Sequence, residues 1–435
     1  MRGTAGSNPA PATKLSSFAL RLGVGFGVVE HVQNHPLNSR ARVAIYAAVF
    51  LAFLDNFVLL PVIAPRAAEL GGGSLAVGLA IAAYSFANLI FNLLGGFLAD
   101  RFGRRRIVVW ALVASPLAIA SYAWADSIGW FLAARLFHGA SGGVLATSLL
   151  AMLGDAAPAG NRGRSLGQAG AIIGLAALLG PIAMGAIILA AGLPAVFLGL
   201  AALLAVGLIP VVPSLPDTLA VRPKIGLGQG WGKLLAEPRI RTALIAIFGL
   251  EAAVGVVAGF LRTVLTAPRG FGEELGPVAV TTQSGLLFSL FGLVAIGVML
   301  SPWAAKVDQQ GPFRVCLAGL VSVAGALGLL WGGSGLWIWA AMIFYGIGYG
   351  LIFPAAAGAI ALATSKEERG RGNGLFNFFF DLGLSTGPVV AGIFAVASSV
   401  SPFVTGLGLV GVVAAALVFS GFREREREGE RQRST

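Results

Sequence analysis

One cysteine and three histidines in 435 residues leave little room for soft-ligand chemistry. Cys316 has no intrachain partner for a disulfide, and His31, His35 and His138 are too few for a metal cluster, so no metal and no cofactor is expected. Charge is scarce as well. Asp, Glu, Lys and Arg supply 11% of the chain, against roughly 25% in an ordinary soluble domain. Apolar residues take that place, at 57%. They fall in runs of about twenty, the length one helix needs to cross a bilayer. The pattern implies an all-α membrane protein of twelve transmembrane helices and excludes a separate soluble enzyme domain.

Apolar runs bounded by charge, Gly or Pro lie at about residues 43–64, 75–98, 107–124, 129–153, 165–190 and 194–212. Six more follow at about 241–264, 281–303, 314–333, 336–363, 373–397 and 402–421. The longest polar connection, 213–240, is rich in Pro, Gly and Lys/Arg and separates the two sets. The expected organisation is a disordered tail over 1–42, a six-helix bundle over 43–212, a linker over 213–240, a second bundle over 241–421 and a charged tail over 422–435. No A-x-A-like cleavage site follows the loosely apolar residues 15–29.

The net charge of +11 is spread along the chain instead of forming a nucleic-acid-binding patch. Alternate connections and the two tails hold 26 of the 30 Lys and Arg residues, while the opposite loops hold Arg66 and Arg269. The positive-inside rule then places both termini and the linker in the cytoplasm. The run REREREGERQR reads as a solvated tail, since its acids nearly cancel its arginines.

Sliding the second half onto the first at an offset of 207 aligns Arg162, Gly163, Arg164, Gly167, Gly180, Pro181 and Gly185 with Arg369, Gly370, Arg371, Gly374, Gly387, Pro388 and Gly392. Gly139 and Gly143 fall on Gly346 and Gly350. The chain is therefore a duplicated six-helix unit, with its halves expected as pseudo-symmetric bundles.

Between the second and third runs stands GGFLADRFGRRR, Gly95 to Arg106. Gly96 suits close helix approach, Asp100 can face a helix N-terminus, and Gly103 permits the turn. Arg101, Arg104 and their neighbours hold the loop at the cytoplasmic surface. This segment resembles the G-x-L-A-D-R-x-G-R-[KR] signature of the major facilitator superfamily, and the resemblance covers about residues 43–421. Arg135-x-x-x-Gly139 is similar to the arginine signature of that superfamily's drug:proton antiporters. The Gly180-Pro181 pair resembles their antiporter motif, although Ala176 and Met184 replace two of its glycines. FLDNFVLLPVIAP, LEAAVGVVAGFLRTVL and FDLGLSTGPVVAG look like helices of tetracycline-type exporters and vesicular amine transporters. The resemblance implies that Asp55 with Asn56, Arg135, Glu251, and Asp381 with Asn377 serve substrate and proton binding. It also implies that the Gly-Pro pairs, including Gly387 and Pro388, serve conformational gating.

Distance from the flanking cationic residues gives the acids' depth. Asp55 stands thirteen residues after Arg42, Glu251 ten after Arg241, and Asp381 ten after Arg371. At about 1.5 Å per residue all three lie near the middle of a ~30 Å core, where an ionisable group is a functional candidate. A carboxyl in that environment can load and release protons near neutral pH. The competing reading is an ion pair that fixes packing, with Arg135 as the cation. Ser85, Asn88 and Asn92, Asn373 to Ser385, and Tyr345 with Tyr349 share helix faces and are candidate cavity linings. The rest of the lining is apolar, which suits a lipophilic or cationic substrate.

Gly139-Ala140-Ser141-Gly142-Gly143 satisfies the G-x-S-x-G pattern of serine hydrolases, but a serine nucleophile needs a histidine base from another segment, and His138 is three residues away. The glycines of 226–232 lack the spacing of a phosphate-binding loop. The reading is a monomeric secondary transporter in the cell membrane, multi-pass, exchanging small lipophilic or cationic compounds for protons. A nutrient symporter or lipid flippase of the same fold is the alternative, and an intramembrane serine protease a distant one.

Overall fold

The computed structural model describes residues 39–156, 162–217, 231–267, 277–301, 312–332, 334–364 and 368–434. Twelve long helices occupy them. In the first half these are α1 Ser39–Glu69, α2 Ser74–Phe102, α3 Arg104–Ala123, α4 Ile128–Ala156, α5 Arg162–Ala191 and α6 Leu193–Ser214. A short helix, Trp231–Ala236, precedes the second set: α7 Pro238–Leu265, α8 Pro277–Leu300, α9 Pro312–Gly332, α10 Leu336–Ala363, α11 Arg369–Ser398 and α12 Pro402–Ser434. Among the described residues, eleven of the twelve are long and apolar enough to cross a membrane, α5 being the exception in a helix where many side chains fall outside the description. No strand occurs among the described residues.

Most helices outrun their apolar runs by a few residues, because backbone hydrogen bonding continues after the side chains turn polar. α12 continues furthest, through the Arg/Glu run to Ser434. Opposite charges three apart favour that continuation, against like charges four apart. The expected tail over 1–42 lies outside the described residues up to 38, and so does the middle of the linker, 218–230.

The duplication recurs in the packing. α2 lies along α4 and α8 along α10; α1 packs on α5 and α7 on α11; α3 packs on α6 and α9 on α12. Across the seam α2 meets α11 and α5 meets α8, again the same pair shifted by six helices. A Cβ added at Gly139 would strike the carbonyl of Tyr84, and one at Gly346 would strike that of Phe291. Both residues of the second pair stand 207 positions after those of the first, so one glycine contact has been copied intact. Gly180 likewise brings α5 onto Phe57 and Val58 of α1, and Gly387 brings α11 onto Ala252 of α7. Small residues are what let helix backbones approach in lipid, where no hydrophobic force pulls them together.

At the seam, Gly78 of α2 would strike the Pro388 carbonyl of α11, and Gly392 of α11 the Ser74 carbonyl and Leu75 of α2. Both approaches lie toward the end of α2 remote from the α2–α3 turn. That turn is made by Gly103 at φ +94°, a conformation L side chains rarely adopt. Arg105 ties the turn to the end of α6 by donating to the carbonyls of Leu215 at 2.8 Å and Val212 at 3.3 Å.

Candidate functional site

The three predicted acids are all buried, with Asp55 2%, Glu251 1% and Asp381 5% exposed. Asp55 projects from α1 into the interior of the first half. Its Oδ2 accepts from Ser115 Oγ of α3 at 2.7 Å and lies 3.1 Å from His138 Nε2 of α4. Its Oδ1 is buried without a hydrogen-bond partner. Asn56, half-buried, is turned about 100° away by the helix and is not among the hydrogen-bond partners of Asp55.

Arg135 is not the counter-charge that the ion-pair reading requires. Its guanidinium donates to the α2 carbonyls of Ala80 at 2.9 Å and Ile81 at 3.5 Å and lies 4.8 Å from the centre of the Tyr84 ring. A guanidinium has donors only, and carbonyl lone pairs beside a close-packed glycine helix satisfy them. The partner of Asp55 is His138, which the sequence suggests neither as a metal ligand nor as a protease base. The signal was available: an ionisable residue inside an apolar run is a functional candidate whether acid or base. Ser141 Oγ donates to the His138 carbonyl at 2.7 Å, while the imidazole faces α1 and α3. The two do not form a dyad.

On the other side of the seam, Asp381 Oδ2 accepts from Asn92 Nδ2 of α2 at 2.7 Å. Asn92 Nδ2 also donates to Asn88 Oδ1 at 2.6 Å. The predicted cavity pair Asn88 and Asn92 thus joins a carboxyl of the opposite half. Ser385 Oγ caps the Asp381 carbonyl at 2.7 Å. Asn377 is half-buried, and Asn373, at the start of the predicted stripe, is exposed.

Glu251 lies on α7, which is buried along most of its length. Gly383 lets α11 settle on the Glu251 Cβ and the Phe248 carbonyl. Glu251 and Asp381 are close enough to interact electrostatically. Glu251 Oε1 is buried without a partner, and so is the hydroxyl of Tyr345. Tyr345 and Tyr349, both within electrostatic reach of Glu251, begin an aromatic wall. Phe291 stacks on Tyr345 at 4.7 Å and meets Tyr349 edge-on at 5.3 Å; Phe353, Phe376 and Phe380 continue it.

Pro388 stands where α2, α7 and α11 meet. Proline cannot donate to the carbonyl of Leu384 four residues earlier, and Gly255 of α7 packs against that carbonyl and the proline ring. Gly180 is buried against α1. The side chains of Gly96, Asp100 and Pro181 lie outside the described residues. Arg101 is exposed and lies 5.6 Å from the Phe102 ring, and Arg104 opens α3.

Twelve helices in duplicated halves, with buried acids at and beside the seam, define a multi-pass membrane transporter. The family model of the Major Facilitator Superfamily matches residues 45–355 and 265–435, and the chain belongs to that superfamily. It is 28% identical over 300 residues to the inner membrane transport protein YajR of Escherichia coli K12, covering 66% of this chain and 63% of YajR. The chain thus spans less than two thirds of that relative. It is 24% identical over 385 residues to the quinolone resistance protein NorA of Staphylococcus aureus, covering 85% of this chain and 94% of NorA. Among solved structures, a variant of the nucleoside transporter NupG superposes with a TM-score of 0.70 at 15% identity, covering 87% of this chain and 99% of that one. A bacterial homolog of the human lysosomal transporter Spinster, in an inward-facing and occupied conformation, superposes at 0.69 and 13% identity, covering 90% and 97%. At these identities the structures speak for the fold alone. The drug:proton antiporter resemblance holds at the level of the family and of NorA, and the chain is a transporter rather than an enzyme.

Proposed function

We propose that the protein exports small lipophilic or cationic compounds in exchange for protons, by alternating access between its two halves. The observation that carries this is Asp381: a buried carboxyl whose hydrogen bond to Asn92 crosses the seam. Adding or removing a proton there changes a contact between the halves themselves, which is what coupling requires. Glu251, with one oxygen unpartnered beside Tyr345, Tyr349 and Phe291, offers a negative charge against an aromatic wall. A desolvated organic cation gains from both features. The similarity to NorA, a quinolone resistance protein, agrees with this substrate class.

The protein works as a monomer in the cell (inner) membrane with both termini cytoplasmic. The Gly96–Asp100–Gly103 turn and the Gly180-Pro181 and Gly387-Pro388 pairs govern the balance between inward and outward states. The transmembrane potential adds ~2.3 kcal/mol per charge per 100 mV, so one or two protons sustain useful gradients. The test is uptake of a fluorescent lipophilic cation by everted membrane vesicles. Accumulation that requires the pH gradient and collapses with a protonophore supports the reading. Accumulation indifferent to the gradient, with the protein present, contradicts it.

A further inference from the structure

The carboxyl of Asp55 is enclosed within the first half. Four helices converge on its partner His138, whose side chain is 0% exposed. Asp55 comes from α1, Tyr84 from α2, and Ser115 and Tyr122 from α3, while α4 itself contributes Arg135 and Ser141. His138 Nδ1 is 2.9 Å from Tyr122 Oη, and Nε2 is 3.1 Å from Asp55 Oδ2 and 3.3 Å from Ser115 Oγ. The Tyr84 ring packs edge-on to the imidazole at 4.9 Å.

This arrangement accepts a proton without moving a heavy atom. With one ring proton, Nε2–H donates to Asp55 and Nδ1 accepts from the Tyr122 hydroxyl. With two, Nδ1–H donates to the Tyr122 oxygen, and only the hydroxyl hydrogen has to turn. The unpartnered Asp55 Oδ1 is a second place for the same proton. Arg135 donates to α2 carbonyls and lies within electrostatic reach of Tyr84 and Tyr122, and among the described residues the one cation within hydrogen-bond reach of Asp55 is a protonated His138. An arginine partner would be charged permanently; a histidine partner is charged on demand. The surroundings are packed side chains, and a proton is the occupant that fits.

We propose that Asp55 and His138 form one exchangeable proton site enclosed in the first half, separate from Asp381 and Glu251, and that this proton is exchanged in the transport cycle. The proton comes from water and returns to water. Its charge is felt at the seam through α2: Tyr84, Asn88 and Asn92 stand four residues apart on one face, and Asn92 holds Asp381. The inference rests on the proton-coupled reading above, and its tests separate the two.

With three histidines in the chain, the His31→Gln/His35→Gln variant leaves His138 as the one histidine signal. Nitrogen-15 spectra of that full-length variant in lipid nanodiscs, from pH 5 to 9, should show the ring passing between two protonation states. Asp55→Asn should move the midpoint by about one pH unit or more, a tenfold change in proton affinity. A single neutral tautomer throughout, or an unmoved midpoint, overturns the proposal. In reconstituted vesicles, His138→Gln should flatten the pH profile of uphill transport while the substrate still binds. A pH-gradient-dependent wild type and an unchanged profile in His138→Gln overturn this inference alone; a wild type indifferent to the gradient overturns the efflux reading instead.

Discussion

Glu251 and Asp381 lie side by side but differ in what surrounds their oxygens. Asp381 has an amide donor from the opposite half, whereas Glu251 has an unpartnered Oε1 within electrostatic reach of Tyr345 and Tyr349. The roles divide accordingly in the proposed cycle, with Asp381 cycling the proton and Glu251 drawing in the cation. Glu251→Gln should therefore weaken binding of a lipophilic cation at least tenfold and leave a neutral lipophilic substrate within about twofold, since removing an unscreened charge in a dry site costs about 1.4 kcal/mol or more. Equilibrium binding to purified protein checks this, and equal losses for both substrates would count against an electrostatic role. All three acids were legible in the sequence because charge is rare in apolar runs. Their partners were not. Arg135 and His138 are three residues apart on α4, and nothing in the chain order says that the arginine turns to α2 while the histidine turns to α1. That choice is made by the close α2–α4 approach at Gly139, a contact between segments more than fifty residues apart.

At the scale of the helices, glycine contacts set the spacing, and the duplication supplies an internal control. Gly139→Val and Gly346→Val should each push α4 from α2 and α10 from α8 by striking a backbone carbonyl. Overpacking of this kind costs about 1–3 kcal/mol or more. Both variants should melt at lower temperature in detergent than wild type and by similar amounts, whereas Gly174→Ala, with open space around it, should melt as wild type does. A drop in one repeat copy and none in the other would mean the two contacts are not equivalent. The helices themselves were almost fully legible, because about twenty apolar residues between charges leave one structural solution in lipid. Helix ends were less so: polar residues extend α2 to Phe102 and α12 to Ser434, where backbone hydrogen bonding decides and hydropathy does not.

At the scale of the whole molecule, the lopsided distribution of Lys and Arg predicts an orientation. Tags after residue 435 and within 213–240 should be cytoplasmic, and tags near Gly72 or Gly270 should be external; modification by an impermeant reagent on intact cells checks this, and a reversed pattern would refute the positive-inside reading. In the predicted orientation the close approaches of Gly78 to Pro388 and of Gly392 to Ser74 and Leu75 lie toward the outside. In the proposed cycle, substrate drawn in at Glu251 displaces the proton held at Asp381. Its most direct test is proton release from detergent-solubilised protein on substrate addition, followed with a pH indicator in weak buffer. Wild type should release protons in proportion to substrate bound, and Asp381→Asn should bind substrate but release fewer. Equal release from the two proteins, with uphill transport intact in the variant, would remove Asp381 from proton coupling.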